Sequence, residues 1–187
     1  MEYQELGSSG VRVSEVCLGT WTMGGKFWGE VHDEESIEAV KAALDVGMNF
    51  IDTAHSYGRG HSEEIIGQAL KGRREEAVIC TKVSGWWDGD DYVYDCSYDA
   101  IMRLVEEGLK RLQTDYLDLY LIHDYDPKVP IKETMGALQK LKDEKVIRAV
   151  GVSNYGLKKL EEASKHIELH AGEYHLNMFK REQFLAI

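Results

Sequence analysis

Four side chains with acid–base chemistry follow short apolar runs of the sequence that fit buried strands. Asp52 ends one such run, and Tyr57 lies five positions later beside a glycine that lets the chain turn. Lys82 and His123 stand at the exits of two later runs. The carboxyl ends of parallel strands form the face on which α/β proteins build their active sites. We therefore predict that the four side chains converge on one cavity.

Together, these four side-chain types suit proton donation to a carbonyl oxygen. The pKa of a free tyrosine hydroxyl is about 10, which is too high for easy donation at neutral pH. A lysine ammonium beside Tyr57 favours the phenolate and lowers that pKa, and an aspartate holds the lysine charged and in place. A histidine within reach can hydrogen-bond a substrate oxygen and orient the carbonyl. Taken singly, each residue also has a structural explanation, such as a helix cap or a buried, hydrogen-bonded histidine.

Alternating strands and helices must carry these residues. Strand-like runs begin near residues 16, 49, 77, 117, 147 and 169, a repeat of about 30 residues. Between the runs lie helical patterns, of which the first is predicted to be capped by Asp33 and the second by Ser62, while Ser97 opens the third. Parallel strands joined by right-handed helical crossovers form either a (β/α) barrel or an open doubly wound sheet.

Two further segments bear on the fold. The glycine-rich turn at residues 7–10 predicts a small N-terminal β-hairpin, and residues 84–95, rich in Trp, Gly and Asp, are predicted to form a long loop. A Rossmann fold fits the sequence less well than a barrel. No G-x-G-x-x-G follows the first strand, and Phe27 and Trp28 stand where phosphate-cradling glycines would be needed.

The bulk composition narrows the function classes. The chain has 187 residues and a formal net charge of −11, which argues against nucleic acid or an anionic membrane surface as the main partner. Its apolar runs are shorter than the roughly 20 residues of a membrane span, and its N-terminus lacks the regions of a signal peptide. The widely spaced Cys17, Cys80 and Cys96 predict reduced thiols and neither a metal site nor disulfides. We expect a single cytoplasmic domain over residues 1–187.

Six short motifs resemble those of the aldo-keto reductase superfamily. They are L-G-T-W at 18–21, D-T-A-H-S-Y-G at 52–58, S-E-E-I-I-G at 62–67, T-K-V at 81–83, D-L-Y-L-I-H at 118–123 and G-V-S-N-Y at 151–155. The N-terminal G-S-S-G-V-R-V-S is similar to the branch that holds bacterial and archaeal reductases and the potassium-channel β subunits. The similarity extends from about residue 2 to residue 181. Each motif alone is common, but the combination is highly specific.

The resemblance implies a TIM-type (β/α)8 barrel with an N-terminal hairpin that closes its bottom. It also implies transfer of a hydride from NADPH to an aldehyde or ketone. By the same resemblance, Tyr57 would be the general acid, with Lys82 and Asp52 as the pair that tunes its acidity. His123 would orient the carbonyl group.

The resemblance further implies residues for cofactor and substrate. The implied cofactor contacts are Gly19, Thr20, Trp21, Asp52, Ser153 and Asn154. Of these, Ser153 and Asn154 would bind the nicotinamide carboxamide. An apolar substrate pocket would have Trp21, Trp86 and Trp87 as its walls, and ordinary loop packing is the alternative explanation for these tryptophans.

The sequence departs from the family pattern in two places. The family usually has a glutamine at the end of the sixth strand, where alignment on Glu173 and Tyr174 puts Ala171. The chain also ends six residues after the N-M-F-K-R segment at 177–181, with room for six of the eight βα units of such a barrel. We therefore expect a barrel that lacks its last two βα units and binds NADPH weakly. Its open edges predict either self-association or a larger parent chain of which this sequence is a part.

Three functional interpretations remain at this stage. The first is an NADPH-dependent carbonyl reductase whose turnover is impaired because cofactor loops are missing. The second is a non-catalytic nicotinamide-binding or regulatory barrel protein, for which the channel β subunits are the precedent. The third is a truncated product without activity of its own.

Overall fold

The structure, a computed structural model, describes residues 1–25 and 29–179. Its strands are β1 (Tyr3–Glu5), β2 (Arg12–Ser14), β3 (Cys17–Gly19), β4 (Phe50–Asp52), β5 (Val78–Val83), β6 (Gly85–Asp88), β7 (Asp91–Tyr94), β8 (Leu117–Ile122), β9 (Ile147–Ser153) and β10 (Ala171–Glu173). Its α-helices are α1 (Asp33–Asp45), α2 (His61–Ala69), α3 (Tyr98–Leu112), α4 (Ile131–Asp143) and α5 (Leu157–Ala163). Phe27, Trp28 and the end of the 177–181 motif lie outside the described residues.

Six of the strands form one parallel sheet in the order β3-β4-β5-β8-β9-β10. Its register places Gly19 beside Asp52 and Asp52 beside Cys80, so β3 and β4 end at a common level and β5 continues past them to Val83. This spatial order follows the chain order, whereas a doubly wound sheet reverses its strand order at a switch point. The predicted strands and the TIM-like α/β architecture are therefore confirmed as a partial barrel.

The inner face of the sheet packs against the N-terminal segment. Side chains alternate between the two faces of a strand, and Cys80, Leu119 and Ala149 form one cluster with Val11 and Val13. Both of these valines are 1% exposed. They lie at and beside β2, which pairs antiparallel with β1. The predicted hairpin is therefore confirmed, and its apolar residues fill the barrel interior below the strand ends.

The outer face of the sheet packs against the helices in a larger apolar cluster. In α3, the fully buried Ile101, Leu104 and Leu112 lie at helical spacing and join Ile79 of β5 and Ile122 of β8. Among the described residues, no helix is both long enough and apolar enough to cross a membrane. The helices thus serve as the outer layer of the partial barrel, as the βα repeat predicts.

Two of the predicted helix caps are wrong. Ser97 does cap α3, since its hydroxyl accepts a hydrogen bond from a backbone N–H of the first turn. Asp33, however, is already the first residue of α1 and follows His32. Ser62 is the second residue of α2, and its hydroxyl donates to the carbonyl oxygen of Thr20. The Ser62 hydroxyl thus bonds to a distant segment of the chain and does not cap the helix.

The segment predicted as a long loop contains an antiparallel hairpin, β6–β7. Gly85 opens it with a φ of 147°, and a Cβ at this position would overlap the carbonyl oxygen of Val93. Trp86 pairs with Val93 and Trp87 with Tyr92, so adjacent tryptophans point to opposite faces. The prediction of a loop is therefore wrong here, because glycines, aspartates and aromatics do not show the alternation of polar and apolar residues that marks a strand.

Two helical glycines give a matched stability prediction. Gly136 lies exposed in α4 with open space around its Cβ position, so Gly136→Ala is expected to raise the free energy of unfolding by about 1 kcal/mol through helix propensity. Gly67 lies in α2 where a Cβ would overlap the backbone carbonyl of Arg111 in α3. Gly67→Ala is therefore expected to cost about 1–3 kcal/mol despite the same gain in propensity. Urea denaturation measures both values, and a Gly67→Ala protein as stable as Gly136→Ala would contradict the close helix packing.

Candidate active site

The loop after β4 continues to pair with β5, which brings its side chains over the barrel end. The backbone N–H of Thr53 donates to the carbonyl of Cys80 at 2.9 Å, and that of His55 donates to the carbonyl of Lys82 at 3.1 Å. Tyr57 then begins a 3₁₀ turn. This path brings both Asp52 and Tyr57 into contact with the Lys82 side chain.

Two glycines bring the loop after β3 against the loop after β4. The 3₁₀ turn Trp21–Gly24 packs on the turn Tyr57–Gly60, and a Cβ on Gly24 or on Gly58 would overlap the other residue's backbone. The packing sets the ring of Trp21 beside that of Tyr57, with the ring centroids 6.1 Å apart and the planes at 30°. The cavity therefore gains an aromatic wall from the first βα loop.

The ammonium of Lys82 is the centre of the site. Its Nζ lies 2.5 Å from Oδ1 of Asp52, 3.0 Å from the carbonyl oxygen of Thr53 and 3.3 Å from the hydroxyl oxygen of Tyr57. A fourth oxygen, Oε2 of Glu173, lies 3.4 Å away. The lysine side chain is fully buried, so these oxygens take the place of its water shell. One cation thus touches the predicted acid, the predicted tuning carboxylate and a second carboxylate.

The charges at Lys82 change the expectation for Tyr57. Burial lowers the pKa of Lys82, but the net effect of its surroundings, which include the carboxylates of Asp52 and Glu173, is to raise it, so the ammonium stays charged. Burial raises the pKa of Tyr57, and the nearby Lys82 opposes this increase without cancelling it. The prediction of a phenol pKa below its ordinary value is therefore wrong, because desolvation of the phenolate outweighs the lysine.

His123 meets the ring of Tyr57 edge to face, with the centroids 5.8 Å apart and the planes at 74°. Burial, together with the charge of Lys82, lowers the pKa of His123 to about 4. The imidazole is therefore neutral at physiological pH. A neutral ring offers one N–H to a substrate oxygen and places no second cation beside Lys82.

A cavity of about 350 Å³ opens above these groups at the carboxyl ends of the strands. Its lining comprises Trp21, Ser56, Tyr57, Trp87, His123, Ser153, Asn154, Glu173, Tyr174 and His175. The structure thus brings together most of the residues that the sequence singled out, with Lys82 in contact with both Asp52 and Tyr57. Ser56, Glu173, Tyr174 and His175 were missed as cavity residues, and of these Glu173 carried a signal, an acidic residue in the sixth strand pattern.

Two of the three tryptophans predicted for the substrate pocket line this cavity. Trp21 and Trp87 do so, and the indole N–H of Trp87 donates to the carbonyl of Ser56 at 3.2 Å. Trp86 does not, because it points to the other face of the hairpin and packs against the outer core with the guanidinium of Arg103 4.6 Å from its ring centroid. The pocket prediction is therefore wrong for Trp86.

Three of the predicted cofactor contacts, Gly19, Thr20 and Asp52, lie outside the cavity lining. Asp52 instead accepts a hydrogen bond from Lys82. Gly19 ends β3 with open space around its Cβ position. Thr20 is completely buried, and both its N–H and its hydroxyl donate to the carbonyl of Asp52, at 3.0 and 2.8 Å. The carbonyl of Thr20 accepts from Ser62 at 3.0 Å. Thr20 thus fixes the loop after β3 on the site, and its polar groups are not turned toward the cavity.

Ser153 and Asn154 lie together at the end of β9. Asn154 has a φ of 59°, and its side-chain amide donates to the carbonyl of His123 and to Oδ1 of Asp124, both at 3.2 Å. These bonds fix the Asn154 side chain and tie it to the backbone of His123. Ser153 is 3% exposed, and both residues line the cavity. Their roles as carboxamide contacts stay predictions.

The strand register corrects the assignment of Ala171 to the end of the sixth strand. Ala171 pairs with Gly151 and contacts the inner apolar cluster, two positions before the strand ends. The end position belongs to Glu173, which pairs with Ser153 and lines the cavity. The sixth strand therefore presents a carboxylate to the site, where the sequence alignment had put a methyl group.

Three possible metal ligands surround Lys82. Donor atoms of Asp52, Cys80 and Glu173 all lie within 4.8 Å of one another. The ammonium of Lys82 contacts both carboxylates, and it stays charged because the negative groups around it raise its pKa. A divalent cation there would be repelled at close range, so the lysine is the cation that this cluster is built to hold.

His55 gives a pH-dependent stability prediction. It is 7% exposed, and its Nδ1 accepts a hydrogen bond from Nη2 of Arg111 at 2.6 Å. Burial, the charge of Arg111 and, more weakly, Arg103 lower the pKa of His55 to about 4, against the opposing effect of Glu107. The pKa of a histidine in the unfolded chain is about 6.5. Between pH 6.5 and pH 4, His55 is therefore protonated in the unfolded chain and neutral in the folded protein.

Stability is thus expected to fall as the pH drops from 6.5 towards 4, with up to about 3 kcal/mol from His55. In His55→Asn, an amide oxygen can replace the ring nitrogen as acceptor, so the loss of unfolding free energy between pH 7 and pH 4.5 should be smaller. The exposed His32→Asn serves as control and should keep the parent slope. Equal slopes for His55→Asn and the parent would show that Arg111 does not keep the ring neutral.

The chain is similar to known proteins in both sequence and structure. The profile of the aldo/keto reductase family matches residues 15–185. The chain is 42% identical over 184 residues to Aldo-keto reductase YhdN of Bacillus subtilis, which covers 97% of this chain and 56% of that protein. The crystal structure of the thermostable aldo-keto reductase Tm1743 with the inhibitor epalrestat matches with a TM-score of 0.87 at 38% identity. That match covers 100% of this chain and 66% of the other.

A second solved structure bears on the cofactor. An aldo/keto reductase from Klebsiella pneumoniae, in complex with NADP and acetate, matches with a TM-score of 0.73 at 35% identity. The match covers 86% of this chain and 53% of that one. The chain therefore spans about half to two thirds of the length of these relatives.

Proposed function

The chain belongs to the aldo/keto reductase family, and from that premise we propose that it reduces aldehydes or ketones to alcohols with NADPH. The observation that carries the proposal is the buried Lys82, whose Nζ lies within 3.3 Å of both Asp52 and the hydroxyl of Tyr57. A lysine in this setting is held charged next to a phenol that faces a cavity. That is the arrangement a proton donor for a carbonyl oxygen requires.

The residues of the site first bind the carbonyl oxygen of the substrate and then protonate it. The neutral imidazole of His123 and the hydroxyl of Tyr57 flank one part of the cavity, so a carbonyl oxygen placed there can be hydrogen-bonded by both. Tyr57 then transfers its proton to that oxygen as negative charge develops on it. The phenolate that remains is stabilised by Lys82 at 3.3 Å. Trp21 and Trp87 form part of the cavity wall.

The cavity fits the nicotinamide end of the cofactor. When bound, NADPH supplies the hydride. Ser153 offers a hydroxyl, while Asn154 and Glu173 offer acceptor oxygens, which together complement the N–H and C=O groups of a carboxamide. Among the described residues that line the cavity there is no arginine or lysine for the phosphates. We therefore expect weak NADPH binding, as phosphate recognition depends on such groups or on backbone N–H cradles.

Titration with NADPH, followed by tryptophan fluorescence and by turnover of small aldehydes, tests the proposal. Binding is expected to quench the fluorescence of the parent. Trp86→Phe, outside the cavity, should keep this response, and Trp21→Phe, in its wall, should diminish it. Quenching without turnover would favour the non-catalytic nicotinamide-binding alternative. The absence of both quenching and turnover at saturating ligand would contradict the proposed function.

We also propose that the chain self-associates through the β10 edge. In the described sheet β3 and β10 are the end strands, and a largely apolar cavity of about 690 Å³ lies beside β10. Leu160, Leu169 and Leu176 contribute to its lining, and Leu176 is 57% exposed. Open strand edges and bare apolar surfaces favour pairing with another chain.

Light scattering of the purified chain measures its association directly. The parent should exceed the mass of a 21.3 kDa monomer, and Leu176→Glu should shift it towards the monomer because a charge would be buried in the interface. The control Leu157→Glu places the same charge on an exposed residue outside this cavity lining. A parent that is monomeric at all concentrations would contradict self-association.

A further inference from the structure

Four oxygens compete for the three N–H bonds of Lys82. An ammonium has three donors, and the short contacts to Asp52 at 2.5 Å and to the Thr53 carbonyl at 3.0 Å take two of them. The hydroxyl of Tyr57 at 3.3 Å and Oε2 of Glu173 at 3.4 Å are left to share the third. Any charge on Glu173 therefore draws the same N–H that would stabilise a phenolate on Tyr57.

Glu173 is held in this position by the backbone. It ends β10 in register with Ser153, and its carbonyl accepts from the N–H of Asn154 at 3.2 Å. β10 and β4, which carries Asp52, are separated in the sheet by three strands, so the curl of the sheet brings the two carboxylates to one lysine. The side chain of Glu173 is 44% exposed, which leaves its ionisation open to the solvent pH.

The charged groups around Lys82 change the pKa of Tyr57 in opposite directions. Lys82 favours the phenolate, whereas Asp52 and Glu173 disfavour it and so raise the pKa of Tyr57, in addition to the larger effect of burial. Burial and Asp52 raise the pKa of Glu173 itself, against the opposing charge of Lys82. The thiols of Cys17 and Cys80 also face Glu173, and their own pKa values are raised by burial. Both thiols are therefore uncharged at neutral pH, and Glu173 is the second carboxylate that reaches Lys82.

We propose that Glu173 is a positioning residue that offsets the charge of Lys82 and so holds the Tyr57 hydroxyl in its proton-donating form. This inference rests on the proposed function, in which Tyr57 donates a proton to the carbonyl oxygen. The reverse reaction, oxidation of an alcohol, needs Tyr57 as a phenolate that accepts a proton. By suppressing the phenolate, Glu173 biases the site towards reduction and extends proton donation to higher pH.

The ionisation of Tyr57 can be measured without cofactor or substrate. In protein labelled with ¹³C-tyrosine, the Cζ resonance of Tyr57 is identified by its absence from Tyr57→Phe, and its shift with pH reports the phenolate fraction. Glu173→Gln keeps the shape of the side chain and removes its charge. We expect the pKa of Tyr57 to fall by about one unit in this variant, which is a tenfold rise in the ratio of phenolate to phenol.

Two further variants keep the test specific. Glu168→Gln removes one carboxylate from an exposed position before β10 and should leave the titration of Tyr57 unchanged. Glu173→Asp withdraws the carboxylate by one methylene and should give a smaller fall in the same direction. The other tyrosine resonances report whether each variant is folded. An unchanged or raised pKa of Tyr57 in folded Glu173→Gln would overturn the inference.

The pH profile of turnover provides the second measurement. If the chain reduces carbonyls, the alkaline limb of the reduction profile should move to lower pH in Glu173→Gln by the same amount as the tyrosine titration. An unmoved limb beside a shifted tyrosine titration would overturn the link to catalysis. A chain that neither binds NADPH nor turns over would contradict the proposed function, whereas the resonance of Tyr57 would still decide whether Glu173 acts on it.

Discussion

Tyr57→Phe is expected to lower carbonyl reduction by about 10²–10⁴-fold, the usual contribution of a general acid. The substitution removes one oxygen and its proton and leaves the ring in place. The ring contacts with Trp21 at 6.1 Å and with His123 at 5.8 Å involve only the carbon frame, so the walls of the cavity should persist. NADPH affinity, measured by tryptophan fluorescence, should therefore be retained while turnover is lost.

Tyr92→Phe provides the matched control for this prediction. Tyr92 lies in the β6–β7 hairpin next to the cavity, and its hydroxyl is within 3.1 Å of the Ser84 hydroxyl. It does not contact Lys82, so the same loss of a phenolic oxygen should leave turnover near that of the parent. A Tyr57→Phe protein with parent-like turnover would remove Tyr57 from the mechanism. Equal losses in both variants would point to a structural effect of the missing hydroxyl.

Asp118→Asn is expected to cost about 3–5 kcal/mol of unfolding free energy, the range for breaking a buried ion pair on one side. Asp118 is 1% exposed, and its carboxylate accepts from Arg74 at 2.7 Å, from Arg148 at 2.9 Å and from the backbone N–H of Ile79 at 3.0 Å. An asparagine cannot accept all three bonds, and its NH₂ group would face an arginine. The side chain of Arg74, 15% exposed, would lose its counter-ion.

Urea denaturation of Asp118→Asn and of Asp115→Asn measures this effect against a control. Asp115 is exposed on the turn before β8, and surface substitutions of this kind usually change stability by less than about 0.5 kcal/mol. The midpoint should fall for Asp118→Asn, and if the variant does not fold the loss exceeds the stability of the parent. A midpoint equal to that of Asp115→Asn would show that the three bonds to Asp118 contribute little.

These two predictions differ in how far the sequence leads to them. Tyr57 could be singled out because it lies five residues after a strand that ends in Asp52, and strand ends meet at one face of a parallel sheet. Asp118 likewise belongs to a strand motif, D-L-Y-L-I-H at 118–123. Its neighbours along the chain, however, do not indicate that it binds Arg74 and Arg148. The bonds of Asp118 join three adjacent strands and the turn before one of them, and such contacts depend on the register of the sheet.

The sequence by itself determined the repeat of strands and helices, the N-terminal hairpin and the four side chains placed at strand ends. These features follow from local rules, since an apolar run followed by a polar residue specifies a strand end wherever the strand lies. The same rules are silent on which face a side chain takes when the alternation is weak. That is why Trp86 was assigned to the pocket together with Trp87, although the hairpin points them in opposite directions.

Only the tertiary structure decided which charges meet. Lys82 lies on β5, Asp52 on β4 and Glu173 on β10, and the curled sheet brings both carboxylates within 3.4 Å of the Lys82 Nζ. It also decided the acidity of Tyr57, because desolvation depends on how many atoms surround the ring and outweighs the lysine that the sequence placed beside it. Pairwise charge effects can be anticipated from residue types, but burial is a property of the whole fold.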